Sequence, residues 1–269
     1  MVLVSAFEDG YAALRANPVL LVAGVFLGGG SRLQYVGHLV DSPVVSAGAS
    51  LAWLVVFPFV LGGFLGTARG AVDGTDASLA RFVAAARAHY VRLLLGTGAF
   101  VVLLLGAAIG LGLVGFVLGI GSLALAAIHE IAAFAAGVVS LLLWPLSVLA
   151  VIVFVQFYDA AIVIEDQSVT DAFRRSVGLV RSNPKSVTGF SLAWLVLLNA
   201  FLVPEYLLQL TLTDAAPAAV LPVDTGIPVA VALPIGTALS AVGFAYFYTV
   251  YTAYYLRLIA VSPITTEPV

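Results

Sequence analysis

The chain has no cysteine among its 269 residues, which removes disulfides, thiol nucleophiles and cysteine-bound metals from the chemistries open to it. Charge is almost as scarce. Only 9% of residues are charged, against roughly 25% in ordinary globular domains, so a water-facing surface of the usual kind cannot be assembled from this composition. Lysine occurs once, at Lys185, beside ten arginines. With a net charge of −3 and a pI of about 5.5, the chain lacks the basic excess that a nucleic-acid partner requires. The opening MVLVSAFEDG has no basic stretch ahead of an apolar one. No signal peptide is therefore expected, and the first apolar run should stay in the mature protein.

What is present is apolar. Hydrophobic residues make up 62% of the chain and the mean hydropathy is +1.14, values that call for lipid as the solvent. A helix of about 20 apolar residues crosses the hydrocarbon core, and six runs fit: 18–38, 44–68, 91–120, 132–158, 186–209 and 228–256. Ten of the eleven basic residues fall on one side of that pattern. Arg15 precedes the first run; Arg69, Arg81, Arg87 and Arg92 lie between the second and third; Arg174, Arg175, Arg181 and Lys185 between the fourth and fifth; Arg257 follows the sixth. Only Arg32 lies elsewhere. Because positive charge near span ends is retained in the cytoplasm, the reading is a multi-pass cell-membrane protein with both termini cytoplasmic. Residues 1–269 form a single polytopic domain with no room for a separate catalytic one. The excess of Arg over Lys, with much Ala, Val, Leu, Gly and Asp, suits a GC-rich or halophilic microbial source.

A second kind of segment precedes the odd-numbered runs. SAFEDGYAALRANP (5–18), SLARFVAAARAHY (78–90) and TDAFRRSVGLVRSNP (170–184) align on Arg15-Ala16-Asn17-Pro18, Arg87-Ala88-His89-Tyr90 and Arg181-Ser182-Asn183-Pro184. Each is expected to be a short amphipathic helix. In the third, Val169, Phe173, Val177 and Val180 repeat at helical spacing. Ser168 with Asp171 and Ser5 with Glu8 have the spacing of a capping box, and Asn-Pro should end the first and third helices, since a residue before proline is pushed out of the helical region. Such helices belong along the inner interface, with Arg near phosphates. The even-numbered runs each hold an internal proline, Pro58, Pro145 and Pro234. The fold class read from this is all-α integral membrane, six transmembrane helices with three cytoplasmic-side interfacial helices. Three parallel copies of one unit cover 4–69, 77–158 and 168–257.

The most distinctive stretch is FVQFYDAAIVIEDQSVTDAFRRSVGLVRSNP, Phe154 to Pro184. A span ends in an aromatic-acidic pair, an acidic turn follows, then Ala-Phe-Arg-Arg-Ser and Leu-Val-Arg-x-Asn-Pro. Over these residues the chain resembles the membrane domain fused to some glycerophosphodiester phosphodiesterases, and the stand-alone six-helix families of unknown function found in haloarchaea and bacteria. In the fused proteins a separate soluble barrel does the hydrolysis, so the resemblance implies the role of the membrane part and no catalytic residues.

Motifs that suggest chemistry lack what that chemistry requires. Gly110-Leu111-Gly112-Leu113-Val114-Gly115 spells a dinucleotide fingerprint but lacks the strand that must precede it. With Gly106 and Gly119, and with Gly62, Gly66 and Gly70, it is expected to serve close helix packing. His129-Glu130 begins a zincin helix whose second histidine position is Ala133. No catalytic, cofactor or metal residues are assigned. The residues that stand out are polar groups at costly depth or at the inner interface: Gln156, Tyr158, Asp159, Arg174, Arg175, Arg181 and Glu205. Asp159 is expected near the inner surface, meeting Arg174, Arg175 or water. The expected function is non-enzymatic organisation of lipid or of a membrane protein partner; the competing expectation is a small-solute or lipid transporter with Gln156, Asp159 and Glu205 along its path.

Overall fold

A computed structural model describes residues 2–30, 42–75, 77–212 and 229–261, and their side chains except at 201–212 and 229–233. The described residues are helical, with no strand among them: α1 (Val2–Ala16), α2 (Val19–Gly30), α3 (Pro43–Val72), α4 (Leu79–Ala126), α5 (Glu130–Val155), α6 (Tyr158–Ile164), α7 (Val169–Ser182), α8 (Pro184–Leu212) and α9 (Val229–Val261). The expected outer loop near 210–227, the end of the first apolar run with Arg32, and the side chain of Glu205 lie outside what is described.

Local chemistry sets most helix ends. Ser42, Ser78 and Ser168 cap α3, α4 and α7, each accepting from the amide three residues on, which satisfies a donor the helix itself leaves unpaired. His129 does the same for α5, its Nδ1 accepting from Ala132 N at 3.3 Å. This is where the zincin-like His-Glu pair belongs. Proline acts as expected at two of the three aligned positions. The chain turns by 102° between α1 and α2 at Asn17-Pro18, and α7 gives way to α8 at Asn183-Pro184, with proline as the first residue of the new helix. At the third position Tyr90 replaces proline and nothing ends the helix. The segment 78–90 is therefore not a separate interfacial helix; it forms the first turns of α4, a single helix of 48 residues, about 72 Å long at 1.5 Å per residue. One other expectation needs correcting. α1 begins at Val2, so Ser5 lies inside the helix and does not cap it. The fourth run lies within one candidate span, Glu130–Ile164, but its helix is interrupted: α5 ends at Val155, and α6 starts after a two-residue break.

Three helical stretches are long and apolar enough to cross a membrane, α3, α4 and the α5–α6 pair at Glu130–Ile164; the bent pair α1–α2 makes up to four. These pass among the described residues by length and composition.

Glycine brings α3 to α4 and brings α1 and α2 to α9. On α3, a Cβ at Gly62 would stand 2.7 Å from Leu93 Cδ1 of α4, and one at Gly66 would strike the Ala85 methyl. Gly70 is filled by Arg81 and Thr75. Along α9, Gly10 faces Val250, while Gly24 and Gly28 face Ala241. The expected packing role of the α4 glycines holds only for Gly112, against Trp144, and Gly115, near Ser140; nothing lies within 4 Å of a Cβ at Gly106, Gly110 or Gly119.

Candidate functional site

The break between α5 and α6 is where the polar residues of the 154–184 segment converge. An uninterrupted helix would pair Phe157 N–H and Phe154 C=O within its own ladder. Here the Ser176 hydroxyl of α7 enters instead, accepting from Phe157 N at 3.1 Å and donating to Phe154 O at 2.9 Å. One turn on, Ala160 N donates to Asp159 Oδ1 at 2.7 Å. Tyr251 of α9 donates to the same Oδ1 and also reaches the Gln156 carbonyl at 2.8 Å. Backbone groups released by the break are thus met by side chains from three helices, as buried backbone requires. Asp159 is 8% exposed. The Gln156 side chain faces the other way, its Nε2 donating to Ser191 Oγ of α8 at 3.0 Å.

The end of α6 is gripped by cations. Arg69, from the last turn of α3, donates to Ile164 O at 2.7 Å, and Arg92 of α4 donates to Asp166 O at 2.8 Å and Gln167 O at 3.3 Å. Arginine on the last carbonyls of a helix replaces the acceptors' missing partners. Asp166, at φ 57, turns the chain out of the helix, and its carboxylate also pairs with Arg92. That hydrogen bond and charge hold the Asp166 carboxyl below the usual carboxylate range. Beneath them Arg175 Nε lies 3.1 Å from each oxygen of Glu165, with side chains only 17% and 11% exposed, and Tyr255 donates to the same carboxylate.

Aromatic rings fill the space between these polar contacts. Phe157, fully buried, has the rings of Phe190, Tyr251, Tyr254 and Tyr255 about it at 5.9–6.2 Å. Tyr158 is sandwiched between Phe173, parallel at 4.9 Å, and Phe100 at 5.4 Å, with its hydroxyl 3.3 Å from Thr97. At Gly96 a Cβ would press on Tyr158 and Ile162 at 3.1 Å, so α4 approaches α6 closely there.

A family model described as "Domain of unknown function (DUF7847)" matches residues 1–258. The chain belongs to that family. No curated protein and no solved structure matches it. The matched span takes in the whole of the convergence around α6 and, in α9, both of the tyrosines that reach it.

Against this geometry the residues singled out in the sequence divide. Gln156, Tyr158 and Asp159 come together at the α5–α6 break, and Arg175 lies one layer below. Asp159 meets neither Arg174 nor Arg175: its partners are Tyr251 and a backbone amide, because Arg175 is engaged by Glu165 and Arg174 points to Asp171 at 3.6 Å. Arg181 is apart from the break and exposed. Several residues of the site went unnoticed in the sequence as site residues, among them Arg69, Arg92, Glu165, Asp166, Ser176, Ser191, Tyr251 and Tyr255. The tyrosines carried a signal, Tyr-x-x-x-Tyr with Tyr248 one turn earlier, which places polar-tipped rings on one face of an apolar helix. No cluster of three or more metal-ligating side chains exists among the described residues.

Proposed function

We propose that this chain is a six-span membrane protein with cytoplasmic termini, built from three parallel copies of one unit. It has no catalysis of its own and organises lipid or a membrane protein partner at the inner face. What carries the reading is the engagement of Gln156, Asp159, Glu165 and three arginines in holding α3, α4, α7, α8 and α9 to one short helix. Chemistry or transport needs polar groups that turn to a solute. A transport path through Asp159 needs a carboxylate that a solute can reach, and here it is enclosed under Tyr251. The resemblance of Phe154–Pro184 to a membrane domain attached to a separate enzyme fits a supporting role. The exposed apolar flanks of α4 and α5, from Val102 to Leu146, are surfaces suited to lipid.

Two measurements test this. Single cysteines in the cysteine-free chain at Gly74 and Asp171 should label only from the cytoplasm, and at Ser42 and His129 only from outside; an inversion at any of them overturns the threading. Asp159→Asn keeps the shape and an acceptor oxygen, so the variant should accumulate normally and leave the cellular phenotype unchanged. Normal abundance with a null phenotype would replace the scaffold with a transporter.

A further inference from the structure

Two open apolar grooves meet at a single arginine. The first, of about 590 Å³, runs between α4, α7 and the end of α5, with Ala99, Leu103, Val155 and Val177 along its walls and Arg174 and Arg181 at its rim. The second, of about 490 Å³, lies between α5 and the α7–α8 elbow, walled by Leu146, Leu149, Val153 and Val180, and Arg181 lines it too. Helix α5 contributes to both and forms the ridge between them. Both volumes fall in the range of small-molecule sites, roughly 300–1,000 Å³.

The charge at the junction is uncommitted. Arg69, Arg92, Arg175 and Arg257 bond carboxylates or carbonyls of the protein, whereas Arg181 has no hydrogen bond or ion pair among the described residues and is exposed. Arg174, 78% exposed, has only the loose 3.6 Å contact to Asp171.

We propose that Arg181, with Arg174, binds the phosphate of a two-chain anionic glycerophospholipid, one chain lying in each groove astride α5. This rests on the membrane reading above and gives that reading a specific ligand. Guanidinium matches phosphate as a planar multiple donor, and two separate apolar troughs under one cationic head match two hydrocarbon chains better than one. A single-chain amphiphile would leave a trough empty, and a soluble phosphate would leave both.

The test uses the full chain in bilayer discs of phosphatidylcholine carrying a minority of phosphatidylglycerol. Retained lipid is measured by native mass spectrometry after detergent release. The unaltered chain should retain phosphatidylglycerol in preference, and Arg181→Glu should reduce that retention roughly thirtyfold, since each basic residue adds about 1 kcal/mol toward an anionic surface, reversal doubles the change, and every 1.4 kcal/mol is about tenfold. Phosphatidylcholine retention should not move. Gly178→Leu, on the exposed face of α7 at the first groove with nothing within 4 Å of its Cβ, should obstruct that groove without disturbing the helix and lower retention of phosphatidylglycerol with the charge intact. Arg87→Glu, also exposed and unpaired among the described residues, should leave it unchanged. Equal effects of Arg87→Glu and Arg181→Glu, or none from Gly178→Leu, would overturn the site while the membrane reading stands. Failure of the unaltered chain to enter discs at all would overturn the membrane reading itself.

Discussion

The region around α6 and the far half of the α4–α5 hairpin are built from the same apolar alphabet and solve opposite problems. At α6 the side chains of Phe157, Ala160, Ala161 and Ile162 are wholly buried, and the backbone groups released by the break each find a side-chain partner. In the hairpin the large residues point outward: Leu113, Phe116, Leu123, Phe134 and Leu141 are each more than 60% exposed. Polar contacts there are sparse, chiefly Trp144 Nε1 to Ala108 O at 2.8 Å across the two helices and Ser140 to its own helix. The difference teaches that hydropathy alone does not locate a core in such a chain. The core is where polar groups are placed to hold helices together, and the more uniformly apolar region is the one left for the surroundings.

Substitutions can break this contrast. Phe157→Ala should have the largest effect, about 3–5 kcal/mol for removing a fully buried ring, and should appear as loss of folded protein in thermal unfolding followed by size-exclusion chromatography. Arg175→Leu leaves Glu165 a buried, unpaired carboxylate, and is expected to destabilise by about 3 kcal/mol; the double variant with Glu165→Leu should recover much of the loss. Ser176→Ala removes the bridge across the break and strands Phe154 O and Phe157 N, for about 1–3 kcal/mol. If Ser176→Ala is instead neutral, α5 and α6 have joined into one helix, and Ser176 decides the break without stabilising the fold. Phe116→Ala in the hairpin should stay within about 0.5 kcal/mol, and an effect as large as that of Phe157→Ala would erase the distinction between the regions.

The smallest effect concerns pH. Because the folded Asp166 carboxyl titrates below its ordinary value of 3.8, its contact with Arg92 contributes stability that is complete above that pH and disappears as pH falls through the folded value. Asp166→Asn should therefore be slightly less stable than the unaltered chain near neutrality and equal to it once pH has fallen below the folded value, read as thermal stability between pH 6 and about 2.

Sequence periodicity and capping chemistry foretold the helical class, the Ser168 cap and both Asn-Pro elbows, because each depends on residues within one turn. The continuous α4 followed from the same rule applied strictly, since Tyr90 carries an amide hydrogen and proline does not. What escaped was long-range. Nothing near Asp159 names Tyr251, which is 92 residues away, and an apolar run gives no sign that Ser176 will interrupt it at Phe157. The arginines were legible as one set, expected on the cytoplasmic side, but the sequence did not separate those bound to the end of α6 from those paired elsewhere, as Arg257 is with Asp9, or left exposed, as Arg181 is. Which of these an arginine joins depends on helix packing rather than on its neighbours in the chain.

The glycine contacts of α1 and α2 with α9 carry a consequence for biosynthesis. Gly24 is completed by Ala241, over two hundred residues downstream, and at about 5–20 residues per second that partner emerges roughly 10–40 seconds later. During this interval the small-residue stripe of α1 and α2 has no α9 to pack against. Helix α9 is then the clasp for α1 and α2, and a ribosome that stalls before it leaves those two helices without their packing partner.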